Sequence, residues 1–335
     1  MNWKRWAFTI ASFAAVIGVS AFFIVRWWRA GSTIRLPLDA HLLAIAAVLF
    51  EILTRSWKIQ WSAKAAHIEL GFMTALRTTL AGDFGASITP ARSGAEPARF
   101  LVLAESGIET SNALVVLLAE LFLESLSLAT VVLVVAIVFR HAGFVLKALV
   151  GVVGLYAGFV VGVGVIAVVL ARRHVDDAPP RWAIRLRLGG KRWTKIHRWF
   201  TQVRSTVDRM RHIEFRWAAG AYFMSVMHVA MRLCVLPALV LGAGADAPLA
   251  PLALWPLGLL YGAAIVPAPG GGGAVELAFR AALANVIGGH LFAAALLWWR
   301  FYTFYIYIVL GAVVAGNTAL RAVRKTQEMS QFEAA

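Results

Sequence analysis

The chain has 335 residues, 60% of them hydrophobic and only 15% charged, with a mean hydropathy of +0.75. A soluble domain of this size cannot cover that much apolar surface, and long continuous apolar runs are not the alternating pattern of a membrane barrel. The net charge is +15, and an anionic membrane surface explains it without any nucleic acid.

The first predicted element follows Lys4 and Arg5 and covers 6–25. It ends in Arg26-Trp27-Trp28-Arg29 with no small-residue cleavage site, so it reads as an uncleaved first span. Further apolar runs fall at 38–55, 112–139, 145–170, 217–242 and 291–317. Each is long enough to cross about 30 Å of hydrocarbon as a helix. Two regions, 66–105 and 249–288, are apolar but interrupted by Pro, Gly and charge. Non-helical backbone at membrane depth is tolerated only beside protein or a water-filled cavity, so both read as broken, re-entrant helix pairs. The expected fold is an all-α polytopic integral membrane protein, a single membrane domain over 1–335, with about six full spans and two re-entrant pairs.

Segment 171–216 holds thirteen Lys or Arg against four Asp or Glu, a net of +9. The positive-inside rule makes it a cytoplasmic loop, and both termini then fall in the cytoplasm of a bacterial-type inner membrane. That topology closes only if both broken regions re-enter, the first from the cytoplasm and the second from the far side. Within the loop, Trp193, Ile196, Phe200, Val203, Val207 and Met210 recur every three or four residues among basic side chains. Residues 190–213 are therefore expected to form an amphipathic helix on the anionic inner leaflet. The one cysteine, Cys234, sits in an apolar run and reads as a small packing residue.

The two breaks carry related sequences, TPARSGAEPARF at 89–100 and PAPGGGGAVELAFR at 267–280. Aligned at proline, Pro90, Gly94, Glu96 and Arg99 answer Pro269, Gly273, Glu276 and Arg280. Proline ends one half-helix, glycine permits the turn, and the next half-helix presents its positive end, which suits an anion. Glu96 and Glu276 also suit a plain first-turn role. Similar breaks entered from opposite faces suggest an inverted-topology repeat of the kind secondary transporters use.

Other ionisable residues lie in or beside spans: Glu51, Arg55, Glu120, Glu124, His228, Arg232 and Arg300. Each costs at least ~2.5 kcal/mol at mid-membrane, so a partner or a task is expected. A fixed interhelical ion pair satisfies that expectation as well as a binding role does. Glu120 and Glu124 share a helix face. The run WWRFYTFYIYI at 298–308 reads first as an interfacial aromatic belt and second as a lipid-facing groove. There is no phosphate-binding loop, dinucleotide fingerprint or metal motif, so no catalytic residue, cofactor or metal is expected.

At these breaks the sequence resembles the lysylphosphatidylglycerol synthase transmembrane-region family, the flippase part of multiple peptide resistance factors. The likeness rests on Pro90, Arg92, Gly94, Glu96 and Arg99, on Pro269, Gly270, Gly271, Gly273 and Glu276, and on Arg300 opening RFYTFYIYIVLG. It covers roughly 5–325. Bifunctional members carry a soluble aminoacyl-transferase domain after the membrane part. This sequence ends at Ala335, so the resemblance implies lipid translocation without aminoacylation, and it is similar in size to the hopanoid-associated members.

The expectation is a lipid flippase or transporter for a phosphate-bearing or isoprenoid lipid, passive or ion-coupled and not an enzyme, with homo-oligomers or lipid-synthesis partners as further associations. Expected substrate-binding residues are Arg92, Glu96, Arg99, Glu120, Glu124, Gly271, Gly273, Glu276, Arg280 and Arg300. A lipid-modifying enzyme and a non-transporting scaffold stay open as alternatives.

Overall fold

The computed structural model describes residues 3–28, 35–141, 143–171, 193–194, 201, 213–263 and 266–314. The expected amphipathic helix at 190–213 lies almost wholly outside the described residues. Among the described residues the chain is helical and contains no strand. In chain order the helices are α1 (Trp3–Arg26), α2 (Leu38–Ala65), α3 (Phe72–Ile88), α4 (Ala95–Glu105), α5 (Thr110–Val138) and α6 (Phe144–Ala171). After the basic segment come α7 (Phe215–Gly242), α8 (Leu249–Gly262), α9 (Ala274–Leu283) and α10 (Gly289–Val314). Short 3-10 turns, Pro90–Arg92 and Pro269–Gly271, join α3 to α4 and precede α9.

Helices α5, α7 and α10 are each long and apolar enough to cross a membrane. Leu133, Leu155 and Phe159 are among the large apolar side chains that face outward, where a bilayer rather than water suits them. The protein is an all-α, multi-pass membrane protein. Helix α2 has 28 residues but carries buried charge through its middle. It runs ten residues past the expected end of that span at 55, because Lys58 and its neighbours are covered by protein.

The element spacing shows an internal repeat. From α2 to α7, and from α3 to α8, the first residues are 177 apart, at 38 and 215 and at 72 and 249. The two turns, α4 and α9, and α5 and α10 start 179 apart, at 90 and 269, 95 and 274, 110 and 289. Direction is reversed between the halves. The Glu214 N–H donates to the Ala65 carbonyl at 3.1 Å, and the Trp61 and Trp217 rings lie 5.9 Å apart. At the other end Gly242 packs on Ala40. Helices α2 and α7 are thus antiparallel along their whole length. A Cβ at Gly242 would fall 2.8 Å from the Ala40 Cα, and one at Gly220 would fall 2.8 Å from the Trp61 ring. Small residues set the close approach, as they do where no water is present to drive helices together.

The remaining helices flank this repeat. Helix α1 packs on the second turn and on α10, with Val16 against Gly272 and Trp27 against Phe292. Helix α6 packs Val150, Val153 and Ala157 on α5 and α8.

Candidate functional site

The two turns have one backbone shape. After Pro90, Ala91 and Arg92 take φ of 50° and 57°. After Pro269, Gly270 and Gly271 take φ of 57° and 66°. Two successive left-handed residues cost little for glycine but about 1–2 kcal/mol each for Ala91 and Arg92. The first hairpin is drawn tight by Gly85, whose Cβ, if present, would lie 2.3 Å from the Gly94 carbonyl oxygen. Thr89 Oγ1 locks the turn by donating to the Gly85 carbonyl at 2.6 Å and accepting the Gly94 N–H at 2.8 Å. In the second turn Glu276 plays that part: its carboxylate accepts the Gly273 N–H at 2.7 Å. At each half-helix start the N–H of the N-cap glycine is thus taken by a side chain of the protein.

Anion-binding capacity lies in side chains around a cavity where the turns meet. Its walls come from α3 (Asp83, Ser87), the first turn (Arg92), α7 (Arg232), the second turn (Gly270) and α10 (Arg300, Thr303, Phe304, Tyr307). It offers about 40 Å³ to water-sized occupants, room for a few ordered waters. Three guanidiniums face one carboxylate there. Arg300 is held on three sides: Nη1 donates to the Gly270 carbonyl at 3.2 Å, Nε lies 2.8 Å from Glu276, and the guanidinium covers the Phe304 ring at 4.7 Å. Ser20 of α1 completes the clamp by donating to Glu276 at 2.7 Å. The Nη2 of Arg300 and the Nε of Arg232 are buried without a hydrogen-bond partner. Arg232 Nη1 is 3.9 Å from Glu51, whose carboxylate takes the Tyr307 hydroxyl proton as a hydrogen bond. Unspent guanidinium donors at membrane depth are what a phosphate oxyanion would satisfy.

Helix α10 contains a π-helical turn, Phe301–Tyr305, directly after Arg300. One extra residue per turn brings Thr303, Phe304 and Tyr307 onto the cavity wall, and such bulges are frequent at functional sites. Trp299 is 0% exposed, and Tyr302, Phe304 and Tyr307 are buried too. That part of the aromatic run is core, while Phe301 is exposed and Trp298 and Tyr305 are half-buried.

Beside the cavity runs a cluster of ion pairs, in which Arg55 Nε, Asp83 Oδ2, Arg99 Nε and both His228 ring nitrogens are also buried without a hydrogen bond. Arg55 donates to Asp83 at 2.6 Å and lies 4.0 Å from Glu120. Lys58 donates to Glu120 at 2.9 Å and to Glu124 at 2.6 Å. Arg99 donates to Glu120 and, at 2.8 Å, to Glu96. His228 lies 3.3 Å from Glu124. Each half thus ties its second hairpin arm to the next helix by a buried ion pair with opposite polarity: Arg99 to Glu120 in the first, Glu276 to Arg300 in the second. Among the described residues no three His, Cys, Asp or Glu side chains converge as a metal site.

Of the residues expected at the site, Arg92 and Arg300 line the cavity and Glu276 supports Arg300 from behind. Gly271 and Gly273 shape the second turn through positive φ. Glu96, Arg99, Glu120 and Glu124 belong to the neighbouring charge cluster. Arg280 is not in the cavity: its guanidinium lies 4.9 Å over Trp27, beside a separate pocket. It does not join Arg300: it sits one helical turn beyond Glu276 on α9 and rests on Trp27 instead. The sequence reading missed Lys58, Asp83, Ser20 and Tyr307. Cys234 is exposed in an apolar groove between α2 and α7, not packed inside.

A family model described as lysylphosphatidylglycerol synthase TM region matches residues 6–311. A "UPF0104 membrane protein" of Archaeoglobus fulgidus is 32% identical over 103 residues, covering 29% of this chain and 30% of that relative. The matched segment thus spans about a third of that relative's length.

Proposed function

The chain belongs to the lysylphosphatidylglycerol synthase TM region family, and on that premise we propose that it is a lipid flippase or lipid transporter for a phosphate-bearing lipid. The headgroup passes the cavity between the two turns while its tails stay in the bilayer. The observation that carries this reading is the meeting of two oppositely directed hairpin turns at a cavity walled by Arg92, Arg232 and Arg300. Intramembrane charge is costly without a task, and an inverted repeat supplies two related arrangements, one open to each face. On this reading α3–α4 and α8–α9 re-enter without crossing, in a bacterial-type inner membrane with both termini cytoplasmic.

Transport is favoured over lipid chemistry by the carboxylates. Asp83 is held by Arg55, and Glu276 by Ser20 and Arg300. Groups committed in this way hold charge in place rather than move protons on a substrate. The test is translocation of fluorescent phosphatidylglycerol in proteoliposomes, read by quenching with a membrane-impermeant reductant. Wild-type chain should accelerate loss of inner-leaflet label, and Arg300→Gln should reduce the rate roughly tenfold or more, the worth of a charge-assisted hydrogen bond. Equal rates for wild type, Arg300→Gln and empty vesicles would sink the proposal.

A further inference from the structure

A second pocket lies where α1, α9 and the start of α10 come together. It is lined by Arg26, Trp27, Arg280, Ala284, Gly289 and Phe292 and has a volume of about 360 Å³, far larger than the central cavity. Two arginines share it. Neither has a carboxylate at ion-pair distance among the described residues. Glu276, one helical turn before Arg280, is turned to Ser20, the Gly273 N–H and Arg300 instead. Both arginines are exposed, and two guanidiniums sharing one pocket favour an anion between them.

The floor of the pocket is built rather than incidental. Trp27 is only 9% exposed. It stacks on Phe23 at 4.9 Å and meets the edge of Phe292 at 6.2 Å. The Arg280 guanidinium rests 4.9 Å above this ring. An arginine that merely snorkels to the membrane surface needs no such floor. Gly289, the first residue of α10, lines the same pocket and has no side-chain cap at Gly288 before it. The Leu291 and Phe292 N–H groups donate to the Gly288 carbonyl, which leaves the N–H groups of Gly289 and His290 at the helix start without an intrahelical acceptor.

We infer that this pocket is a second anion site, separate from the central cavity, that binds a phosphate group through Arg26, Arg280 and the start of α10. Its place at the end of α1 puts it at one membrane face, where a lipid phosphate lies, and its chemistry also fits free inorganic phosphate. The inference concerns binding alone and stands whether or not lipid crosses at the central cavity.

The test is equilibrium binding of dihexanoyl phosphatidic acid, and separately of inorganic phosphate, to the detergent-purified full chain by calorimetry. The chain should bind, Arg26→Gln/Arg280→Gln should weaken binding roughly tenfold or more, and Arg300→Gln should leave this component in place. Arg280→Lys, which keeps the charge but loses the two-pronged geometry, should give a smaller loss and serves if the double variant does not elute as a single species. Tighter binding of the lipid than of inorganic phosphate identifies a headgroup site, and equal binding identifies a free-anion site; both support it. No binding by the wild-type chain, undiminished binding by the double variant or by Arg280→Lys, or binding abolished by Arg300→Gln alone overturns it.

Discussion

Lys58 is the sharpest test of the charge cluster. Its side chain is 0% exposed and bridges Glu120 at 2.9 Å and Glu124 at 2.6 Å. Lys58→Met keeps the length of the side chain and removes the charge. Breaking a buried pair in this way costs about 3–5 kcal/mol, because the stranded partner keeps its desolvation penalty. The two carboxylates are not stranded equally. Among the described residues, Glu120 retains Arg99 and has Arg55 at 4.0 Å, whereas Glu124 retains only His228 at 3.3 Å. Most of the loss therefore belongs to Glu124, and Lys58→Met/Glu124→Gln should recover more than half of it. The assay is reversible unfolding in mixed micelles, with both single variants and the double variant forming a cycle. A Lys58→Met loss within about 0.5 kcal/mol, the range of an ordinary surface change, would refute the reasoning. So would a double variant no more stable than Lys58→Met.

The turns give paired predictions. Gly270→Ala should destabilise by about 2 kcal/mol or more: the left-handed backbone penalises a Cβ, and that atom would lie 2.0 Å from the Phe304 ring. Its counterpart Ala91→Gly should be neutral to about 1 kcal/mol stabilising, relief of left-handed strain exceeding the entropy glycine adds to the unfolded chain; thermal unfolding in detergent reads both. Gly85→Ala should cost about 1–3 kcal/mol, because the Gly94 carbonyl it meets is backbone and yields poorly; an unchanged unfolding temperature would mean the hairpin is looser than described. Thr89→Val should cost about 1–2 kcal/mol through loss of both turn-locking hydrogen bonds, and the same unfolding assay would show if it costs nothing.

The fold class was legible because continuous apolar runs have few other solutions. The site was legible in part. Glu51, Arg55, Glu120, Glu124, Arg232 and Arg300 stand out as charges inside apolar runs, and the cost of burying them announces partners. Their pairing was not legible, since Tyr307 reaches Glu51 across 256 residues of chain, as Ser20 does Glu276. Lys58 was lost because its span was ended at 55. It lies three residues after Arg55 and seven after Glu51, on their helix face, and that periodicity was the available signal. The short turn motif pointed to a repeat, yet its residues diverged while the element spacing held. Glu96 is the second residue of α4 and is partly exposed, whereas Glu276 is the third of α9 and buried. One residue of offset moves a side chain about 100° around a helix, so aligned glutamates came to different work. The π-helical turn that aims Tyr307 leaves no mark in composition or periodicity.

The central claim is that the arginines of the cavity select a phosphate as it crosses. The measurement that tests it most directly compares two fluorescent lipids in the same proteoliposomes, phosphatidylglycerol and phosphate-free ceramide, for wild-type chain and Arg232→Gln/Arg300→Gln. The account predicts that wild type accelerates phosphatidylglycerol well beyond its effect on ceramide, and that the variant, still inserted and monodisperse, loses this difference. Equal acceleration of both lipids by wild type, or a variant that keeps the preference for phosphatidylglycerol, would contradict it.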